Sequence, residues 1–263
     1  YGAVWLYRAT GRRFPMHRHD ELELNLVLDG AAGYIVNDRR YTLRHRSLLW
    51  LFPGQEHMLL DQSQDFQMWI VIVRPRIVRR SCPACGGAAV LRQANPRGDF
   101  CRVVPLEAAA RLAALAAEAS QGYAHGAIPL ANAVLVHAIL AAWAAYDEAP
   151  ALAAESVHPA VRRAADYLRQ PNPSDALEPV AAQAGLSASR LSHLFHAQTG
   201  LTLTAYRNRQ RLERFLHLYG AGHTRDMLST ALTAGFGSYP QFHRVFKQLM
   251  GCGPREYQRQ RWR

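Results

Sequence analysis

Histidines, carboxylates and thiols fall in two stretches of this 263-residue sequence, and arginines crowd a third. The first stretch carries His17-x-His19-x3-Glu23 and, further on, Pro53-Gly54-x2-His57. Imidazole and carboxylate suit a divalent metal such as Fe, Mn, Ni or Zn. They equally suit hydrogen bonds to a small effector. The second stretch is Cys82-Pro-Ala-Cys85-Gly-Gly, with Cys101 downstream. Small residues there let the backbone turn toward a metal, and thiolates are soft ligands, so the spacing points to a structural zinc. His45, His125 and Cys252 compete as fourth ligand; a redox-active pair and inert thiols are the alternatives. Four cysteines in a chain of this length do not make a disulfide framework.

The third stretch is set by charge. Residues 1–155 hold 16 basic and 14 acidic side chains, a net +2, whereas residues 156–263 hold 15 and 6, a net +9. A basic segment beside a neutral one suggests a polyanion partner, against the simpler alternative of a soluble basic surface. All the basic residues but Lys247 are arginine. The hydrophobic fraction, 49%, is that of a globular protein. Residues 1–10 lack a basic start and a long apolar run, which gives a cytoplasmic expectation. The apolar run from Leu130 to Tyr146 is interrupted by Asn132 and His137, so it reads as a buried or interface helix rather than a membrane span.

These groups need elements to hold them. Leu22, Leu24, Leu26 and Leu28 alternate with Glu23, Asn25, Val27 and Asp29, a half-buried strand. Further short strands at 34–36, 41–43, 47–52 and 66–73, separated by Asp29-Gly30, Asn37-Asp38 and Pro53-Gly54, predict a sandwich or barrel. Residues 74–102 read as irregular. Residues 106–119 and 130–146 read as helices with wide apolar faces, to be covered by the barrel or by a second subunit. The predicted fold class is α+β in two domains: a sensing and dimerisation domain over 1–148, a linker over 149–158, and an all-α domain over 159–263. In the latter, helices are predicted at 159–170, 177–184, 188–199, 203–219, 226–234, 238–250 and 254–260. Gly185, Gly200, Gly220, Gly235 and Gly251 stand where helices end.

Two helix-turn-helix patterns lie in that domain. Val180–Gly185, Leu186 and the N-cap Ser187 lead into Ala188–Thr199, whose Leu191, Leu194 and Phe195 should face the core. Ser189, Arg190, Ser192 and His193 then point outward. Met227–Ala234, Gly235-Phe236-Gly237 and Ser238 lead into Tyr239–Leu249, whose Phe242, Val245, Phe246 and Leu249 form the buried stripe. Tyr239, Gln241, His243, Arg244 and Lys247 lie mostly elsewhere on that helix.

The residues Ala231, Gly235-Phe236, Ser238, Phe242, Arg244, Phe246-Lys247, Gly251, Pro254 and Tyr257 closely resemble the signature of the AraC/XylS family of bacterial regulators. Leu186-Ser187, Leu191, Leu194-Phe195, Gly200 and Tyr206 match its first unit. The resemblance implies a seven-helix double helix-turn-helix domain. Its two reader helices enter successive major grooves of promoter DNA, braced by the helix at 203–219. Arg244 is then the foremost base-reading candidate, because its fork fits guanine O6 and N7. Ser189, Ser192, His193 and Gln241 come next; Arg190, Lys247, Arg207 and Arg209 are phosphate contacts or solvated. His193 stands where the family often has arginine, and Pro240 sits in the first turn of the second reader.

Upstream, Gly11-x5-His17-x-His19-x3-Glu23-x6-Gly30 resembles the first cupin motif, and Pro53-Gly54-x2-His57 part of the second. In metal-binding cupins these positions converge on one divalent metal, which here would be held by His17, His19, Glu23 and His57. Sensor barrels of AraC-type regulators keep similar residues without metal, so an effector pocket walled by Trp50 and Trp69 is the other reading. The expected partners are promoter DNA, a small effector, a second copy in a homodimer and RNA polymerase. The competing functions are a cupin metalloenzyme and a regulator that senses zinc or redox state through Cys82, Cys85 and Cys101.

Overall fold

The computed structural model describes residues 1–9, 17–170, 176–220 and 226–261. They fall into two compact units that divide between Ser156 and Val157.

Among the described residues, the first unit carries nine strands. β1 (Gly2–Arg8), β2 (Leu22–Asp29), β3 (Ala31–Val36), β4 (Arg39–Arg44), β5 (Ser47–Leu51), β6 (His57–Gln62), β7 (Gln67–Val73), β8 (Cys101–Val103) and β9 (Glu155–Ser156) follow in chain order. They pair antiparallel into two sheets, one ordered β1-β7-β2-β5-β8 and the other β6-β3-β4-β9. Three helices interrupt them: α1 (Pro75–Ser81), α2 (Leu106–Ala124) and α3 (Ile128–Glu148).

β2 shows how the layers are organised. Alternation sends Leu22, Leu24 and Leu26 to one face, where they join Trp50, Trp69, Val71 and the helical Leu112, Leu135 and Ile139 in one cluster. The opposite face does not meet solvent, because the second sheet covers it. Val27, Tyr34, Tyr41, Leu49, Leu59 and Met68 form a separate cluster between the sheets. Glu23, which the cupin resemblance places among the metal or effector ligands, and Asn25 are therefore 5% and 0% exposed. Trp50 and Trp69, expected to wall a pocket, belong to the cluster on the helix side; Trp50 packs 6.0 Å from the Trp143 ring and also lines a cavity with Tyr41, Gln55 and Phe100.

The helices cover the five-stranded sheet. Gly122 sits where a Cβ would come within 2.9 Å of the Ala131 Cβ, so glycine allows the close approach of α2 to α3. α3 is long and apolar enough to cross a membrane, yet Ala131, Leu135, Ala138, Ile139 and Ala142 are buried in the unit. The Arg102 guanidinium closes its C-terminus by donating to the carbonyls of Tyr146, Asp147 and Ala149 at 3.0, 2.8 and 2.9 Å.

Two stretches depart from the sequence expectation. The supposedly irregular 74–102 contains α1, which buries Ile77 and Val78, and a 3-10 helix over Gly87–Arg92. The supposed linker is mostly part of the first unit. Ala151 bridges Arg102, Leu152 packs on the inter-sheet core, and β9 pairs with β4.

The second unit is helical: α4 (Pro159–Arg169), α5 (Leu177–Ala184), α6 (Ala188–Thr199), α7 (Leu203–Gly220), α8 (Met227–Thr233), α9 (Tyr239–Met250) and α10 (Pro254–Arg261). The boundaries follow the capping residues. Ser187 and Ser238 accept from Arg190 N and Gln241 N, and Asp226 accepts from Leu228 N and Ser229 N. Gly185, Gly200 and Gly251 end α5, α6 and α9 in the left-handed conformation. α7 runs 18 residues, roughly 27 Å at ~1.5 Å per residue. It packs against α4 and α6 on one side and α8 and α9 on the other.

Candidate nucleic-acid interface and ligand site

In the second unit, α6 buries Leu191 and Phe195, with Leu194 only half-buried. Phe195 meets the Tyr206 ring edge-on at 5.3 Å, which seats α6 on α7. Ser189, Arg190 and His193 are exposed; Ser192 is half-buried and its hydroxyl donates back to the Ala188 carbonyl at 2.9 Å. α9 is held in the same manner, with Phe242, Val245 and Phe246 buried against Phe215 and Phe236. His243, Arg244 and Lys247 are left exposed. Each helix thus offers solvent a short polar face and keeps its apolar stripe on α7.

Three expected contacts are committed elsewhere. The Gln241 side-chain oxygen accepts from Gly237 N at 2.8 Å, the amide just ahead of the Ser238 cap. Tyr239 is half-buried on the α9 aromatic cluster, its hydroxyl 4.0 Å from the Met227 sulfur. Arg209 is only 5% exposed, so it is neither solvated nor open to a phosphate.

In the first unit, three imidazoles converge. One ligand nitrogen from each of His17, His19 and His57 lies within 4.8 Å of the others. The backbones of His17 and His57 exchange both hydrogen bonds, at 3.1 and 2.9 Å. The Pro53-Gly54 turn holds the third: Gly54 N donates to the His19 carbonyl at 2.9 Å, from a φ of +80° that glycine adopts without strain.

Glu23 completes the group from β2. Its carboxylate accepts from His19 Nε2 at 3.0 Å and from Asn25 Nδ2 at 2.8 Å. Burial penalises its charge, but these donors and the nearby His57 outweigh that and hold the carboxyl below its usual range. Burial likewise opposes protonation of His19, and Glu23 and Glu21 reverse it, raising the imidazole. His57 is dominated by burial, which lowers it to about 4. Its Nδ1 lies 3.0 Å from the Gln55 carbonyl, so Nδ1 carries the hydrogen and Nε2 keeps a lone pair. That Nε2 is buried without a hydrogen-bond partner. A fixed imidazole whose free nitrogen faces two more histidines and a carboxylate fits a divalent metal, with Gln55 and Asn25 as the outer groups that orient the ligands.

The cysteines are not brought together. Cys101, 0% exposed, belongs to the cluster between the sheets, Cys82 to the cluster beneath the helices, and Cys85 is exposed. Burial raises both the Cys82 and Cys101 thiols, which disfavours the thiolate a metal needs. The three-thiol zinc set expected from the spacing is therefore not formed: strand alternation and the α1 insertion send the thiols to different layers.

Sequence reasoning missed Asn25, whose polar type read as outward-facing. It also missed Arg163 and Arg214, which donate to carbonyls at helix C-termini. No local signal marks them, since their acceptors are 20 or more residues away.

The arrangement is that of a two-part protein, a two-sheet module followed by a module of paired helices. A family model described as the AraC-like ligand binding domain matches residues 4–156, and one described as a helix-turn-helix domain matches residues 180–260. The chain belongs to the AraC family. The arabinose operon regulatory proteins of Escherichia coli and Salmonella typhimurium are 34% and 35% identical over 110 and 111 residues, 39% of this chain in each case. The match covers 37% and 38% of those relatives, so the chain spans about two-fifths of their length. ToxT of Vibrio cholerae aligns over 98% of this chain and 96% of its own, at 14% identity and a TM-score of 0.41.

Proposed function

We propose that the protein is a cytoplasmic, sequence-specific transcription regulator that reads promoter DNA with α6 and α9 and is controlled by a ligand held between the sheets of its first unit. The observation that carries this is the pair of N-capped helices on one brace, exposing Arg190 and His193 on one and His243, Arg244 and Lys247 on the other. The unit's concentrated positive charge supplies the non-specific attraction to phosphate. Selection from random duplex DNA tests it. The expected product is a site with two segments about one helical turn apart. No enriched sequence would defeat the reading.

A second element of the proposal concerns the ligand. The orphaned His57 Nε2, beside His17, His19 and Glu23, favours a divalent transition metal, sensed rather than used for turnover. Elemental analysis of the chain isolated without chelator should give about one metal per chain, lost in His57→Ala. A metal-free chain that also fails to take up Zn, Mn, Ni or Fe would return these residues to the direct binding of an organic effector. Homodimerisation through α2 and α3, which expose Leu106, Ile128, Leu130 and Leu140, and contact with RNA polymerase belong to the same proposal.

A further inference from the structure

Both helix-turn-helix turns end beneath an arginine. In the first, Arg163 of α4 donates to the Ala184 carbonyl at 2.6 Å, and a Cβ on Gly185 would lie 3.5 Å from its guanidinium. In the second, Arg214 of α7 donates to the Ala234 carbonyl at 3.2 Å, and a Cβ on Gly235 would lie 3.6 Å from its Nη1. The last carbonyls of a helix lack intrahelical partners and carry partial negative charge, so a cation there satisfies both needs. The two units thus repeat one device: a supporting helix, an arginine, and the glycine turn that aims the reader.

The repeat is broken in one respect. Arg214 also donates from Nη2 to the Arg169 and Gln170 carbonyls, at 3.1 and 2.8 Å. Those carbonyls end α4, which belongs to the first reader's unit. One guanidinium therefore spans the C-termini of two helices from opposite halves of the domain. Its planar fork fixes both directions at once, which a lysine ammonium cannot do.

We infer that Arg214 is a positioning residue that sets the register between the two reader helices, and so the half-site spacing the protein accepts. It need not touch DNA. When two modules are linked, binding of the second depends on whether the link presents it at the right place, so a loosened link costs affinity on the paired site and spares each half alone.

This rests on the DNA-reading proposal, and the test separates the two. The probe is the duplex that the wild-type chain enriches from a random library, with versions in which one or two base pairs are added or removed between the halves, and each half alone. Arg214→Met, which keeps the apolar stem, is expected to bind the first half within about twofold of wild type, to weaken the second half as Arg163→Met weakens the first, and to weaken the paired site about tenfold beyond the loss on the second half. Its discrimination between spacings should shrink. Arg214→Lys, which keeps the charge and loses the fork, covers the case in which the methionine variant does not fold, and should show the same loss of discrimination. Arg163→Met should weaken the first half-site while leaving the spacing preference intact. Unchanged spacing discrimination, or equal loss on halves and pair, would overturn the role of Arg214 alone. A wild-type chain that enriches no sequence would overturn the DNA reading and this inference with it.

Discussion

Gln241 and Arg244 lie three positions apart on α9 and have different duties. Gln241 turns back to hold the Gly237 amide, whereas Arg244 is exposed with its fork available to a base edge. Arg244→Ala should weaken specific binding by ~1–3 kcal/mol and leave non-specific association nearly unchanged; equal loss on all sequences, read by competition titration, would assign it to phosphate instead. Gln241→Ala should act mainly through the cap, by about 1 kcal/mol of stability. The thiols offer a second check at this scale. With a disulfide reagent under native conditions, Cys85 should react fastest, Cys252 more slowly, and Cys82 and Cys101 only on unfolding. Protection of Cys85 in the native chain, released by a chelator, would restore the zinc knuckle.

At the level of elements, the helices of the second unit were legible because their ends are written in side chains. Ser187, Gly185, Ser238 and Gly251 each satisfy orphan backbone groups locally, and helix bounds follow from them within a residue or two. Ser187→Ala and Ser238→Ala should each cost ~1 kcal/mol, measurable as a lower urea midpoint. The first unit was legible only on one face. The leucines of β2 announce the side that meets the helices, but alternation alone gives Asn25 a solvent side until the second sheet covers it; Glu23 is placed inward by the cupin resemblance, not by its strand. The role of Glu23 is legible in the His17-x-His19-x3-Glu23 spacing, which holds one of its partners, His19; the other, Asn25, is seen only once the sheets are assembled. Trp50 and Trp69 pose the same difficulty: alternation says that two faces differ, not which one encloses a cavity.

For the molecule as a whole, charge asymmetry was the most legible property and carries a direct expectation. A duplex bound through several arginine–phosphate contacts should lose roughly a thousandfold or more in affinity between about 50 and 200 mM salt. Ligand binding in the first unit should show no such dependence, which fluorescence titration at the two salt levels would check. The short strand at the end of the first unit has a bearing on the length of chain that joins the two units. Arg39 pairs with Ser156 and Arg40 with Glu155, and only Val157 and His158 then separate this strand from α4. While the strand stays paired, two residues of backbone are all that join it to the first helix of the second unit. Unzipping its two residues would add about 7 Å of slack at ~3.3 Å each. A change at that sheet edge therefore changes the free chain ahead of α4 from two residues to four.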